Sequence, residues 1–311
     1  MTEAEFIESL RTLATGTAAR GLLDDAAVLE VGGRSLVLTH DMLVEGVHYL
    51  PGDPPGDVAW KLLAVNLSDL AAKGARPIGV LLGFSLGEEG WDKAFVAGLG
   101  TALGALGVPL LGGDTVKGAG PRTLALTAIG DADGPVPSRA GGRAGDHLWV
   151  TGAIGDSGAG LRGLKGELTA DPGLTERYRN PSPRLEAGFR LAPLVGAMMD
   201  VSDGLLIDAS RLAGASGVAA EIDLDSVPLS DAFLALLGSG REARLEATTA
   251  GDDYELLFAA KPGRAPEILA LQDELGLPLS RIGTLAEGSG LRLTDRGEPV
   301  PLPPSLGWMH C

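Results

Sequence analysis

Aspartate is the residue type whose placement in this chain invites a chemical reading. Asp24 and Asp25 precede the apolar run AAVLEV, Asp41 follows LVLT, Asp69 lies inside WKLLAVNLSDLAAKG, Asp114 follows PLLGG, and Asp200 follows VGAMM. Five separated segments thus present a short, stiff carboxylate at the end of an element or on a packed face. Caps and turns use aspartate in such places too. Gathered at neighbouring strand ends, two carboxylates 4 Å apart repel by about 4 kcal/mol at an effective dielectric near 20. Lysine and arginine are not adjacent to most of them, so another cation has to offset that charge. Mg2+ takes a few carboxylates and leaves its remaining positions to water and substrate phosphates. The aspartate pattern is that of a phosphate site served by several magnesium ions.

Other common chemistries lack their residues. The phosphate loop GxxxxGK[ST] is absent, since Lys117 in GGDTVKGAG and Lys165 in LRGLKGEL have the wrong spacing. TGAIGDSGAG, residues 151–160, leaves a strand and enters a helix but fails the GxGxxG spacing; it reads as a glycine turn whose helix end meets a phosphate, or as a purely structural turn. The histidines His40, His48, His147 and His310 form no HxxxH or HExxH pair, and no GxSxG elbow is present. Cys311 is the only cysteine, which excludes an intramolecular disulfide and a cysteine-ligated zinc or iron–sulfur site within one chain.

The elements that must carry these aspartates are those of an α/β protein. Thr2 and Glu5 form a capping box ahead of a short helix. Strands are expected at Ala26–Val31 and Leu36–Thr39 around Gly32-Gly33, then at Ile78–Ser85, Pro109–Leu111 and Thr123–Ile129. Helices are expected from Asp57, as cap, to Lys73, and from Trp91 to Leu106, where three glycines cost about 1 kcal/mol each unless close packing repays them. The turn-rich stretch from Asp131 to Gly145 is the best linker, and a boundary near Pro137 divides the chain into 1–137 and 138–311. Beyond it, strands at His147–Thr151, Ala197–Val201, Val218–Ile222 and Leu256–Ala259 alternate with helices near Asp156–Leu164, Pro183–Leu194, Gly204–Ala215 and Ala265–Leu275.

The 311 residues hold 45% apolar residues and a net charge of −16, which gives no general attraction to nucleic acid or anionic membranes. No basic, apolar leader and no run long enough to span a bilayer appears, so the expectation is a soluble cytoplasmic protein.

With DDAAVL, THDMLVEGVHY, AVNLSDLAAKGA, LLGGDT, VSDGL and GDDYELLF in this order, the chain resembles the thiamine-monophosphate kinases nearly end to end. These belong to the aminoimidazole-ribotide synthetase-like ATP-using enzymes. The resemblance implies two α/β domains, an N-terminal ATP- and Mg2+-binding half whose sheets pair in a homodimer and a C-terminal α/β half, with ATP and thiamine monophosphate as substrates. It makes Asp24, Thr39, Asp41, Asp69, Asp114, Asp200 and Asp203 the magnesium ligands, with Asp25 beside them. It places Gly113, Asp114, Arg139 and Ser202 at the nucleotide and His48, Asp252 and Trp308 at the thiamine substrate. Asp41, Asp69, Asp114 and Arg139 would carry the catalytic charge, and transfer would be direct and in line. Three positions depart from the family pattern: Leu23 for Gly, His40 for Thr beside Asp41, and Asp252 for Glu. Two other readings compete. One is the hydrogenase-maturation dehydratase of the same superfamily, which acts through a terminal cysteine as Cys311 would; the other is a non-catalytic cation- or nucleotide-binding protein.

Overall fold

The structure, a computed structural model, describes residues 2–309. A short helix, α1 (Glu3–Arg11), opens with the Thr2–Glu5 capping box. The first sheet follows from β1 (Ala27–Val31), β2 (Arg34–Val44), β3 (Arg76–Leu86), β4 (Leu110–Lys117) and β5 (Thr123–Ala132), in the spatial order β1-β2-β5-β3-β4. The helices α2 (Pro55–Ala72) and α3 (Glu89–Leu106) cover one face. Leu62, Leu63 and Leu67 of α2 and Phe95 of α3 pack there on Val37, Val80 and Leu126.

Two strands are longer than their apolar runs suggest. β2 continues through Asp41 to Val44, held by an unbroken antiparallel register with β5. β4 continues through Gly112 and Gly113 to Lys117 because it pairs in parallel with β3. Asp41 and Asp114 therefore sit inside strands rather than after them. The helix α2 begins at Pro55 with Pro54 as its cap, so Asp57 lies in its first turn instead of capping it. The glycines of α3 have a packing reason at Gly98, whose added Cβ would stand 2.3 Å from the Gly56 Cα of α2.

The second half forms a seven-stranded sheet in the order β12-β11-β8-β10-β6-β9-β7. Its strands are β6 (His147–Thr151), β7 (Ala197–Asp200), β8 (Ala219–Asp223), β9 (Leu256–Ala260), β10 (Leu279–Ala286), β11 (Gly290–Asp295) and β12 (Glu298–Val300). The helices are α4 (Asp156–Leu164), α5 (Pro172–Arg179), α6 (Leu185–Leu191), α7 (Leu205–Ser216), α8 (Asp231–Leu237), α9 (Arg241–Thr249) and α10 (Ala265–Leu275). Of these, α5, α8, α9 and β10 to β12 are additional to the elements expected from sequence. They are short or half-exposed, and their apolar periodicity is correspondingly weak. Both faces of this sheet are buried: Leu206 and Leu212 of α7 pack on Val150 and Leu257, while Leu191 of α6 and Ile268 of α10 pack on Trp149 and Phe258. Ala71 and Ala72, at the end of α2, belong to this second core, so one helix is shared by both halves.

Candidate active site

A cleft of about 830 Å³ lies where the two halves meet. Its acidic floor begins with α2, whose Asn66, Asp69 and Lys73 are spaced three and four residues apart and fall on one face. The alternation of β2 turns Thr39 and Asp41 toward that face. Thr39 donates its hydroxyl hydrogen bond to Asp69, and the Asp41 backbone N–H donates to the Asn66 Oδ1 at 3.0 Å. Asn66 is itself anchored through its amide to the Leu62 carbonyl at 2.9 Å. Alternation sends His40 the other way, to within 2.8 Å of the Thr127 hydroxyl. The bulky histidine is thus outside the carboxylate cluster, although its charge still lowers the Asp41 pKa.

Asp24 and Asp25 come from the segment before β1, and Asp200 ends β7 in the second half. Carboxylate oxygens of Asp25, Asp69 and Asp200 all lie within 4.8 Å of one another. Burial pushes Asp41 up to about 6 and Asp200 up to about 8, and Asp69 well above the ordinary carboxylate range, with neighbouring aspartates adding to all three. Asp24 moves the other way: burial would raise it, but the combined charge and hydrogen bonds of Lys73 and Arg20 bring it to about 2. Arg139 grips Asp25, with its Nε at 2.8 Å. All the oxygens offered by Asp25, Asp41, Asp69, Asp200 and Thr39 are hard donors, the set that suits Mg2+ and not a soft metal.

Ser202 and Asp203 follow β7 on a loop fastened from below. The Asp208 carboxylate accepts the backbone N–H of both residues at 3.1 Å, and Arg211 pairs with Asp203 at 2.5 Å. The end of α4 reaches the same cleft through Gly155, Ser157 and Gly158. The turn TGAIGDSGAG thereby brings a helix N-terminus to the site, with the Gly155 N–H held by the buried Asp253 at 2.9 Å.

On the other wall stand His48, Asp252 and Trp308. His48 accepts the Val44 N–H on Nδ1 at 3.0 Å, which places the proton of its neutral ring on Nε2. Asp252 and Tyr254 both adopt left-handed backbone, with φ of 68° and 50°. Such conformations persist where surrounding bonds over-determine them. Here the N–H groups of Asp252 and Tyr254 donate to Ser202 and Val201 carbonyls at 2.7 and 2.8 Å. The Asp252 carboxylate is occupied on both sides, by Lys61 at 2.9 Å and by the Tyr254 hydroxyl at 3.1 Å. Lys61 also donates to the His48 carbonyl at 3.1 Å and lies over the Tyr178 ring, 3.9 Å from its centroid. Trp308 is half-exposed, and its backbone N–H donates to the Asp203 carbonyl at 2.8 Å.

The structure therefore brings Asp24, Asp41, Asp69, Arg139, Asp200, Ser202, Asp203, His48, Asp252 and Trp308 to one cleft, with Thr39 joined to it through Asp69. Gly113 and Asp114 are not among the lining residues; they lie on β4, every residue of which is exposed. Leu23 is exposed, and the turn before the aspartate pair is shaped by left-handed Arg20, Gly21 and Leu22 instead of a glycine at position 23. Sequence reasoning missed Lys61, Lys73, Asn66, Asp208 and Tyr254. The lysines had a signal: the chain holds only six, and two of these stand in or beside the apolar run of one helix. Cys311 lies outside the described residues.

Two domain models cover most of the chain: AIR synthase related protein, N-terminal domain, matches residues 23–132, and the corresponding C-terminal domain matches 143–296. The class is that of the AIR synthase related proteins, two mixed α/β domains with a sheet each. A thiamine-monophosphate kinase from Caulobacter vibrioides is 40% identical over 97% of this chain and 88% of its own. The solved structure of AaThiL complexed with AMPPCP and TMP superposes with a TM-score of 0.86 at 30% identity, covering 100% of this chain and 97% of the other. The chain belongs to the thiamine-monophosphate kinase family. The hydrogenase maturation protein HypE in complex with ATP shares the fold, with a TM-score of 0.70 at 21% identity over 97% of this chain and 95% of its own.

Proposed function

We propose that this protein transfers the γ-phosphoryl group of ATP to thiamine monophosphate, giving thiamine diphosphate and ADP. The observation that carries this reading is the single cleft in which an oxygen-only carboxylate cluster faces His48, Asp252 and Trp308. A phosphate monoester has a second pKa near 6, so at neutral pH the acceptor oxygen is largely ionised and no side chain has to remove a proton. The work left to the protein is to align two polyanions and offset their charge. Asp24, Thr39, Asp41, Asp69, Asp114, Asp200 and Asp203 would hold Mg2+, which when bound neutralises the phosphate oxygens and steadies them in line. Arg139, locked by Asp25, adds a fixed cation; Ser202 and Gly113 would meet the nucleotide, and His48, Asp252 and Trp308 the organic part of the acceptor. The ring of Trp308 offers a π-face to an aromatic or cationic heterocycle.

The partition into 1–137 and 138–311 agrees with the two sheets, the first made of residues 27–132 and the second of 147–300. A homodimer through the first sheet is supported by its uncovered face and its bare β4 edge, where Leu81, Leu111 and Val116 stand exposed. Such pairing would bury β4 with Gly113 and Asp114. Among the described residues no helix is long and apolar enough to cross a membrane.

Incubation with ATP, Mg2+ and thiamine monophosphate tests the reading directly. Equal amounts of thiamine diphosphate and ADP are expected by chromatography, and EDTA should abolish both. Nucleotide loss without the diphosphate would overturn the acceptor, and metal binding without turnover would favour a binding protein.

A further inference from the structure

Lys61 lies in the first half of α2 and is only 2% exposed. Its ammonium meets three segments that are remote from one another in the chain: the Asp252 Oδ2 at 2.9 Å, the His48 carbonyl at 3.1 Å, and the Tyr178 ring of α5, 3.9 Å from the centroid. An ammonium has three donors and no acceptor, so two oxygens and a ring face use it up. Lys61 does not line the cleft, whereas His48 and Asp252 do, and it reaches the cleft only through them. The main chain of Asp252 is held without it, by the N–H that donates to the Ser202 carbonyl at 2.7 Å. What the lysine fixes is the carboxylate, taking Oδ2 while the Tyr254 hydroxyl takes Oδ1 at 3.1 Å. An ionised carboxylate has about four acceptor positions, so some are left free on a side chain that is still 30% exposed. The lysine charge offsets that of Asp252, and the wall is left with oriented acceptor positions and little net charge.

We propose that Lys61 is the positioning residue of the acceptor wall: it spaces His48 from Asp252 and aims the Asp252 carboxylate at a hydrogen-bond donor on the organic part of the acceptor, touching neither the acceptor nor the phosphates. The inference rests on the reading of this wall as the thiamine monophosphate site. A carboxylate held in advance binds without first losing its own rotational freedom, and that advantage goes when the lysine goes. The effect falls on acceptor binding and not on the transfer step, because the lysine lies behind the wall and away from the carboxylate cluster. Methionine keeps most of the stem volume, and the part-exposed Asp252 can turn to water, so the fold should survive the change.

The first arm of the test is calorimetric titration of the full chain with thiamine monophosphate, in Mg2+ and without ATP. Lys61→Met should bind about tenfold more weakly than wild type, while Lys61→Arg, which keeps the charge and the donors, should stay within about threefold. In the second arm, steady-state turnover by Lys61→Met should show KM for thiamine monophosphate raised about tenfold, with kcat and KM for ATP within about threefold of wild type. In an Asp252→Asn background the same change should cost about threefold or less, because the group it acts through is altered. A fall in kcat at unchanged KM, an equal rise in both KM values, or full additivity with Asp252→Asn would overturn the proposal. So would tighter binding by Lys61→Met, which would make the lysine a mere offset to the pull of Asp252 on a cationic acceptor. Should Lys61→Met not fold, Lys61→Gln, shorter and uncharged, takes its place with the same split expected. A wild type that binds thiamine monophosphate but makes no diphosphate would end the kinase reading while the binding arm still decides the role of Lys61; a wild type that does not bind it would overturn both.

Discussion

Asp69 stands under two opposed demands. Its carboxylate is buried beside Asp41, Asp200 and Asp25, and in the metal-free protein this setting holds it well above its ordinary pKa. Under the proposed role of Asp69 as a metal ligand, such a group would be a burden on the fold without the metal, a common trade between stability and function. Asp69→Asn keeps the shape and removes the burden. In EDTA we expect it to be more stable than wild type by about 1–2 kcal/mol in urea denaturation, and to turn over at least about a hundredfold more slowly with Mg2+. A stable variant with wild-type turnover would remove Asp69 from the metal site. The pH dependence has a definite sign. Asp200 is raised by burial to about 8 and Asp41 to about 6, so the folded protein binds more protons than the unfolded chain from about pH 4 upward. Stability in EDTA should fall as pH rises through that window and level off above about 8. Magnesium competes with those protons, so the melting temperature gained on adding it should grow with pH over the same range. A gain that is flat or falls with pH would contradict the buried-carboxylate account.

Helix α2 is the element on which the site depends. One stripe carries Asn66, Asp69 and Lys73 to the aspartate cluster, Lys61 reaches Asp252 in the opposite wall, and Ala71 and Ala72 enter the second core. Its placement is set in part by how closely α3 approaches, since Gly98 leaves no room for a methyl against Gly56. Gly98→Ala should force the helices apart and cost about 1–3 kcal/mol despite the gain in helix propensity, read as a lowered urea midpoint. A stabilised variant would show that propensity outweighs packing there. The existence and rough span of α2 were legible from its apolar periodicity. Its functional face was only partly so: Asp69 was found because it interrupts an apolar helix, while Lys61 and Lys73 look like ordinary surface lysines until the second half closes over them. The ends of β2 and β4 were misread for a related reason, since Asp41 and the Gly112-Gly113 pair carry local turn signals that pairing with β5 and β3 overrides.

At the scale of the whole molecule the cleft depends on both halves, because Asp200, Ser202, Asp203 and Asp252 lie beyond residue 138 while Asp24, Asp41 and Asp69 lie before it. In the dimer proposed above, the exposed β4 would extend this dependence past a single chain. We expect the protein to sediment as a dimer, and Asp114→Asn to reduce turnover by orders of magnitude without changing the fold seen by circular dichroism. A monomer at working concentration, or a fully active Asp114→Asn, would remove β4 from the reaction. By itself the sequence determined the α/β character, the acidic charge and the aspartates themselves, because composition, periodicity and residue type are local properties. The tertiary structure alone decided which carboxylates meet, which are raised and which lowered, and which lysines are buried among them. Those outcomes depend on burial and on the distance between charges from remote segments, and neither is written in any one stretch of the chain.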